Sequence, residues 1–204
     1  MALTDDDLIA SLAGTIREEA AALSLMAGAV DAAWLGAVRT LHHARLAGGR
    51  IVVAGVGKSG HVGAKIAATL ASTGAPALFV HGTEASHGDL GMIGPRDVVL
   101  MLSASGSTRE LIDLASFAKR RNLPLVLISK KADGALGKLA SVVMRLPDVP
   151  EACPNGQAPT TSSTATLAAG DAIAIALMRL AGFGADDFRA LHPGGALGAA
   201  PQAG

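Results

Sequence analysis

Aromatic residues are scarce in this chain of 204 residues: four Phe, one Trp and no Tyr make up 2% of it. Positive charge is not in excess either, because 17 Lys and Arg are balanced by 17 Asp and Glu. A protein that binds nucleic acid needs a basic surface, and one that binds single strands adds aromatic side chains on which the bases stack. The composition therefore argues against a nucleic acid as partner.

Cysteine and long apolar runs are also lacking. Cys153 is the only cysteine, so no intrachain disulfide can form, which is typical of a reducing compartment. The most apolar helical stretch, residues 167–181, contains Asp171 and Arg179 and is shorter than the roughly 20 residues of a membrane span. The start of the chain has three Asp at residues 5–7 and lacks the basic region and apolar stretch of a signal peptide. We therefore predict a cytoplasmic protein without a membrane partner.

Hydrophobic residues make up half of the chain, which is more apolar surface than one small domain usually hides, so we predict a homo-oligomer. The length fits one well-buried domain over residues 1–204. We predict N-terminal helices within residues 1–49, a sheet with covering helices within residues 50–182, and a C-terminal segment, residues 183–204, that carries His192.

Short apolar runs rich in branched residues alternate with helical patterns along the middle of the chain. We predict strands at residues 51–54, 77–80, 97–102, 125–129 and 141–146. We predict helices at residues 4–29, 31–48, 60–72, 107–121, 134–140 and 160–181. Strands that are apolar on both faces and separated by helices indicate a parallel sheet covered on both sides. The predicted fold class is α/β, a three-layer αβα sandwich with a five-stranded parallel sheet.

Ligands of such sheets sit outside the carboxyl ends of the strands. The loop after the first predicted strand, residues 55–60, reads Gly-Val-Gly-Lys-Ser-Gly. Its glycines admit close approach of a ligand, and Lys58 can meet a phosphate or a carbonyl oxygen. It is not a Walker A motif, because residue 52 is Val where that motif needs Gly. It is also a weak dinucleotide fingerprint, because no acidic residue ends the second strand, where Val80 and His81 stand.

The loop after the third predicted strand, residues 103–110, reads Ser-Ala-Ser-Gly-Ser-Thr-Arg-Glu. Its hydroxyl groups and the first amides of the following helix form a neutral cradle suited to a phosphate dianion. A hydroxyl-rich helix cap would explain one or two of these residues, but not four around a glycine. The predicted phosphate ligands are Ser59 of the preceding loop, Ser103, Ser105, Ser107 and Thr108.

These two loops resemble a known family. The pattern Ser-x-Ser-Gly-x-Thr at residues 103–108, with Glu110 two residues on and the glycine-rich loop before it, is similar to the SIS (sugar isomerase) domain. Further motifs make the chain resemble the arabinose-5-phosphate isomerases over roughly residues 5–198; they lie at residues 81–91, 151–154, 158–164 and 191–198.

The resemblance implies a flavodoxin-like SIS fold, a homotetramer with sites at subunit interfaces, and interconversion of D-ribulose 5-phosphate and D-arabinose 5-phosphate, which feeds Kdo and lipopolysaccharide synthesis. Such a reaction moves a proton between C2 and C1 through a cis-enediolate, and it needs a base and a polarising group but no cofactor. The family commonly continues into two CBS modules, whereas this sequence ends at Gly204. We expect a form lacking those modules, either naturally short or part of a longer protein.

The positions that match the family's implicated residues are Lys58, Glu110, Glu151 and His192, and His87 lies in the loop of the ring-opening histidine of related isomerases. We expect Glu151 to be the proton-transferring base because it lies in a loop, whereas Glu110 in a first helical turn would also serve to stabilise the helix dipole. His87 and His192 are both candidates for ring opening. Lys58 is expected at the carbonyl or enediolate oxygen.

Two alternatives stay open beside this function. The chain would be an isomerase for another phosphosugar if its pocket fits a longer sugar, because the phosphate cradle and the enediolate chemistry are shared. It would be a phosphosugar-sensing module if it did no chemistry, although it lacks a basic helix-turn-helix segment. His81 is a candidate, with His87, for an inhibitory zinc site, since family members are often sensitive to zinc.

Overall fold

Two helices precede the sheet in the computed structural model, which describes residues 3–194. The first, α1 (Asp5–Gly28), begins after Thr4, whose hydroxyl accepts from the amide of Asp7 while the Asp7 carboxylate accepts from the amide of Thr4. The second, α2 (Ala32–Leu46), begins after Asp31, whose carboxylate caps its first amides. Both helix starts confirm the prediction. The end of the motif at residues 191–198 lies outside the described residues.

Five strands form one sheet, in the order β2-β1-β3-β4-β5, with every pairing parallel. They are β1 (Ile51–Gly55), β2 (Ala77–His81), β3 (Val98–Leu102), β4 (Leu125–Ser129) and β5 (Val142–Arg145). The flavodoxin-like order confirms the predicted fold class. Because the chain places β2 on one side of β1 and the later strands on the other, a crevice opens between the carboxyl ends of β1 and β3.

Helices cover both faces of the sheet. They are α3 (Gly57–Ser72), α4 (Gly82–Ala85), α5 (Ile112–Arg120), α6 (Thr161–Leu180) and α7 (Ala185–Leu191), with 3₁₀ turns at Asp89–Met92 and Arg109–Leu111. On one face α2, α3 and α6 bury Leu41, Ile66 and Ile173; on the other, α5 buries Leu114 and Ala118. The 3₁₀ turns, α4 and α7 escaped prediction because they are too short to show a helical period.

The helix predicted at residues 134–140 is wrong, since this segment is a series of turns. A Cβ at Gly134 would collide with the carbonyl group of Gly106, and a Cβ at Gly137 with that of Ala132 in the same connection. The amide of Leu136 donates to the carbonyl of Gly106 rather than to a helical partner. The connection from β4 to β5 is therefore shaped by its packing against the serine-rich loop after β3.

A largely buried carboxylate joins the amino ends of the two central strands. Asp97, just before β3, accepts from the amide and the guanidinium of Arg50, just before β1, and from the amide of Gly94. Burial alone would raise the pKa of Asp97, but the hydrogen bonds from Arg50 and Gly94 outweigh it and hold the pKa below its usual value. This ion pair fixes β1 and β3 relative to each other at the end opposite the crevice.

Replacing Asp97 by Ala is expected to lower the free energy of unfolding by about 2 to 3 kcal/mol at neutral pH, because it leaves buried donors unpaired. The folded pKa is depressed, so this stabilisation is present above the unfolded pKa of about 4 and is lost as the pH falls through the folded value. Urea unfolding of both proteins at several pH values measures the difference. Asp133→Ala, at an exposed position, is the control; equal stabilities of Asp97→Ala and wild type at pH 7 would contradict the role.

Candidate functional site

Three strand-end loops meet at the crevice between β1 and β3. Lys58 and Ser59 lie in the first turn of α3, directly after β1. The loop after β2 packs against its neighbours, since a Cβ on Gly82 would touch Val56 and lie 3.4 Å from the carbonyl oxygen of Glu110. The loops after β1, β2 and β3 thus form one continuous surface at the carboxyl edge of the sheet.

The serine-rich loop is closed by its own side chains. Ser103 is buried, and its hydroxyl lies 2.7 Å from the hydroxyl of Thr108. Between them Gly106 has a φ of 66°, and a Cβ there would lie 2.5 Å from the carbonyl oxygen of Lys131. Only glycine fits this position, because it has the positive φ and no side chain to collide.

The open side of this loop carries donors suited to an anion. Ser105 and Ser107 are exposed, and the amide of Ser107 donates to the hydroxyl of Ser105 at 3.2 Å. The helix predicted from residue 107 begins instead as the 3₁₀ turn Arg109–Leu111, which leads into α5. Its first amides have no acceptor within the helix. The exposed hydroxyl groups of Ser105 and Ser107 therefore lie beside the first amides of this turn.

Glu151 lies at the N-terminus of α6. One carboxylate oxygen accepts from the amides of Thr160 at 2.8 Å and Ser162 at 3.0 Å, and the other lies 3.4 Å from Nζ of Lys130. Partial burial would raise the pKa of Glu151, but hydrogen bonds from Ser162 and Thr160 and the charge of Lys130 outweigh it and lower the pKa to about 2. Glu151 is therefore ionised at neutral pH and holds the loop between β5 and α6.

Sequence reasoning missed Lys130. Its side chain is only 14% exposed, and Nζ also donates to the carbonyl of Val149 at 2.8 Å. The available signal was its position directly after β4, at the same edge of the sheet as the loops singled out in the sequence. Lys130 thus joins the end of β4 to the loop that carries Glu151.

The N-termini of α6 and α3 lie side by side. Both helices start from the carboxyl edge of the sheet, and Ile66 of α3 packs on Gly170 of α6. Each of these residues stands nine positions after the first residue of its helix. Glu151, at the start of α6, therefore lies at the level of Lys58, at the start of α3.

Three predicted catalytic side chains are exposed at the carboxyl edge of the sheet: Lys58 in α3, His87 in the segment after β2, and Glu110 in the 3₁₀ turn after β3. Within residues 3–194, none of them forms a side-chain hydrogen bond or an ion pair. Their charged or polar groups are thus open to a ligand.

His192 lies far from the crevice of its own chain. Its Nδ1 is 2.7 Å from the carbonyl oxygen of Phe188, and the two rings stack with centroids 4.0 Å apart. A Cβ on Gly74, after the end of α3, would collide with the ring of Phe183, which places the start of α7 at the amino edge of the sheet. With about 1.5 Å per residue, α7 is too short to cross back over the roughly 30 Å of α6.

The described residues hold no group of three His, Cys, Asp or Glu that could bind a metal ion. Nδ1 of His81 accepts from the amide of Thr83 at 3.4 Å. The zinc site predicted at His81 is thus without a ligand set in residues 3–194.

Fold and site together define a doubly wound α/β domain with a serine-rich loop at the crevice between β1 and β3. Residues 47–176 match the model of the SIS domain, and the chain belongs to this family. It is 56% identical to the arabinose 5-phosphate isomerase KdsD of Pseudomonas aeruginosa and 54% identical to that of Yersinia pestis. Each match covers 74% of this chain and 46% of the relative, so the chain spans about half the length of these relatives.

Solved structures are similar over nearly the whole chain. The c3406 protein of E. coli CFT073, in complex with arabinose 5-phosphate, superimposes with a TM-score of 0.89 at 36% identity. The match covers 94% of this chain and all of that one. The similarity thus extends well beyond the residues that match the family model.

Replacing Glu151 by Gln is expected to destabilise the fold by an amount that depends on pH. A pKa lowered from 4.5 to about 2 corresponds to a stabilisation on the order of 3 kcal/mol. It is present above about pH 4.5 and is lost as the pH falls toward 2. Urea unfolding of both proteins between pH 7 and pH 3 tests this, with exposed Glu84→Gln as control. A stability difference that does not shrink with falling pH would refute the ionised carboxylate.

Proposed function

We propose that the chain is an isomerase that interconverts D-ribulose 5-phosphate and D-arabinose 5-phosphate. The observation that carries the proposal is the meeting of the serine-rich cradle with the exposed Lys58 and Glu110 at one crevice. The cradle suits the phosphate, Lys58 suits a developing oxyanion, and a carboxylate suits proton transfer. Similarity to the two KdsD enzymes and to the c3406 complex with arabinose 5-phosphate supports the choice of sugar.

Glu110 is the base in this proposal. The sequence favoured Glu151, but a base works best when its pKa lies near the working pH, and the pKa of Glu151 is about 2. Glu151 also has both oxygens engaged by Lys130 and the start of α6. We assign it the role of ordering the loop beside the site, and we assign the proton transfer between C2 and C1, through a cis-enediolate, to Glu110.

The proposed enzyme is a homotetramer whose sites include His192 from a neighbouring subunit. Supporting this, His192 lies far from its own crevice, and several large apolar side chains on α1, α2 and α6 are exposed. His87 is the ring-opening candidate from the same chain. The free Cys153 suits the reducing cytoplasm, and the product would feed Kdo and lipopolysaccharide synthesis.

The phosphate assignment predicts a higher KM for Ser105→Ala. The substrate phosphate would lose a charge-assisted hydrogen bond from the Ser105 hydroxyl, worth about 1.5 to 3 kcal/mol. This corresponds to a roughly 10- to 100-fold rise in KM. Thr108→Val should also raise KM, and it removes the hydrogen bond between the hydroxyl groups of Thr108 and Ser103. Steady-state kinetics on a panel of five- to seven-carbon sugar phosphates measure KM and test the choice of sugar. Ser116→Ala on α5 is the control; unchanged KM in Ser105→Ala and Thr108→Val would refute the cradle.

Proton transfer by Glu110 predicts that Glu110→Gln lowers kcat by about 10² to 10⁴ with little change in KM. The rate at which the C2 proton of arabinose 5-phosphate exchanges with deuterated solvent, measured by NMR, should fall by a similar factor as kcat. Glu151→Gln is the matched variant, in which exchange is expected to persist in the folded fraction. If Glu151→Gln abolishes exchange while Glu110→Gln retains it, the two glutamates have the opposite roles.

A further inference from the structure

The first half of α1 carries an apolar ridge that its own domain leaves exposed. The α1 ridge consists of Leu8, Ile9, Leu12 and Ile16, whose exposed fractions run from 48% to 69%. The spacing of three to four residues places them on one face of the helix. An apolar face of this kind on a helix that projects into water indicates a binding surface.

A groove between α2 and α6 is apolar as well. The α2/α6 groove has a volume of about 790 Å³. Its apolar lining includes Val30, Trp34, Leu35, Val38, Ile175 and Leu180. Four of these side chains are 46% to 58% exposed, namely Val30, Leu35, Ile175 and Leu180. An apolar helix face is the complement that such a groove accepts.

The α1 ridge cannot reach the α2/α6 groove of its own chain. Glu19 accepts from the hydroxyl of Thr164 near the start of α6, and Val30, after the end of α1, lines the groove beside the second half of α6. The second half of α1 therefore runs along α6 in the same direction, with Met26 buried. The first half, with the ridge, projects beyond the start of α6 and away from the groove.

The two surfaces match in length. From Leu8 to Ile16 the ridge is about 12 Å long, and the groove side of α6, from Asp171 to Leu180, is about 13 Å long at 1.5 Å per residue. The ridge of one copy is therefore long enough to lie along the groove side of α6 in another.

The two surfaces also match in charge. Asp5 and Asp6 precede the ridge and Arg17 follows it, while the α6 side of the groove has Asp171 at its start and Arg179 at its end. Neither arginine forms an ion pair within residues 3–194, whereas Asp171 is already paired with Lys65 of α3. An antiparallel arrangement of α1 on α6 brings Arg179 to Asp5 and Asp6 of the other copy, and this end of the contact carries the charge match.

We propose that the α1 ridge of one copy fills the α2/α6 groove of a second copy, antiparallel to its α6. Reciprocal insertion closes a two-fold dimer with the same contacts twice. Because the ridge projects beyond the carboxyl edge of the sheet, this contact brings the second half of the partner's α6 to the side where the strand-end loops open. The inference rests on the homo-oligomer proposed above and is independent of the isomerase chemistry.

Cross-linking between two single-cysteine variants tests the contact. With Cys153 replaced by Ser, Leu12→Cys and Ile175→Cys are mixed, allowed to exchange subunits and treated with a short bismaleimide, and the linked peptides are identified by mass spectrometry. The product joining 12 and 175 is expected, and Leu46→Cys mixed with Ile175→Cys is the control at an equally exposed leucine. An oligomeric wild type without the 12–175 product would overturn the ridge contact alone, whereas a monomeric wild type in light scattering would overturn the oligomer as well.

Light scattering of charge variants tests the orientation. Leu12→Glu should raise the dissociation constant of this contact about 30-fold or more, because it places a charge at the centre of an apolar interface. Arg179→Glu should weaken it less, and Asp5→Lys with Asp6→Lys should restore association in the Arg179→Glu background. Circular dichroism and urea unfolding verify that each variant folds. Lack of rescue, with the 12–175 product present, would overturn the antiparallel orientation.

Discussion

A parallel sheet is buried on both faces, so the helices that follow its strands must cover it. Polar functional groups therefore lie at the ends of the strands. Here β1 and β3 are neighbours in the sheet, and the chain leaves them toward opposite faces of the sheet. Lys58 and the serine-rich loop lie at the crevice between their carboxyl ends. Asp97 and Arg50 hold the opposite ends of the same two strands. The position of the site therefore depends on the pairing of these two strands more than on any residue within the site.

A carboxylate at a helix N-terminus is stabilised by free amides and by the helix dipole. Glu151 shows the consequence, because the amides at the start of α6 and the ammonium of Lys130 keep it ionised despite partial burial. The same bonds that make Glu151 a weak base make it a firm anchor for the long loop between β5 and α6. Glu110 is exposed and has no such partner among the described residues, which is why it is the base in the proposed function.

Most of the fold could be predicted from the sequence, because five apolar runs and the caps at Thr4 and Asp31 are local signals. Residues 134–140 were misassigned because their shape is set by contacts with Gly106, which lies far away in the sequence. At the site, the serine-rich loop was readable as a string of hydroxyl residues. The partnership of Glu151 with Lys130 was not, because the two come together only when β4 and α6 are in place.

The helix α6 connects the interior, the site and the outer surface of the domain. By length and composition it is apolar enough to pass for a membrane span, yet Ile173 and Leu177 on one face are buried in the core while Ile175 and Leu180 remain exposed. Its N-terminus binds Glu151 beside the crevice, and its second half forms the α2/α6 groove. The same helix therefore carries both the amides that hold Glu151 and the apolar surface proposed for assembly.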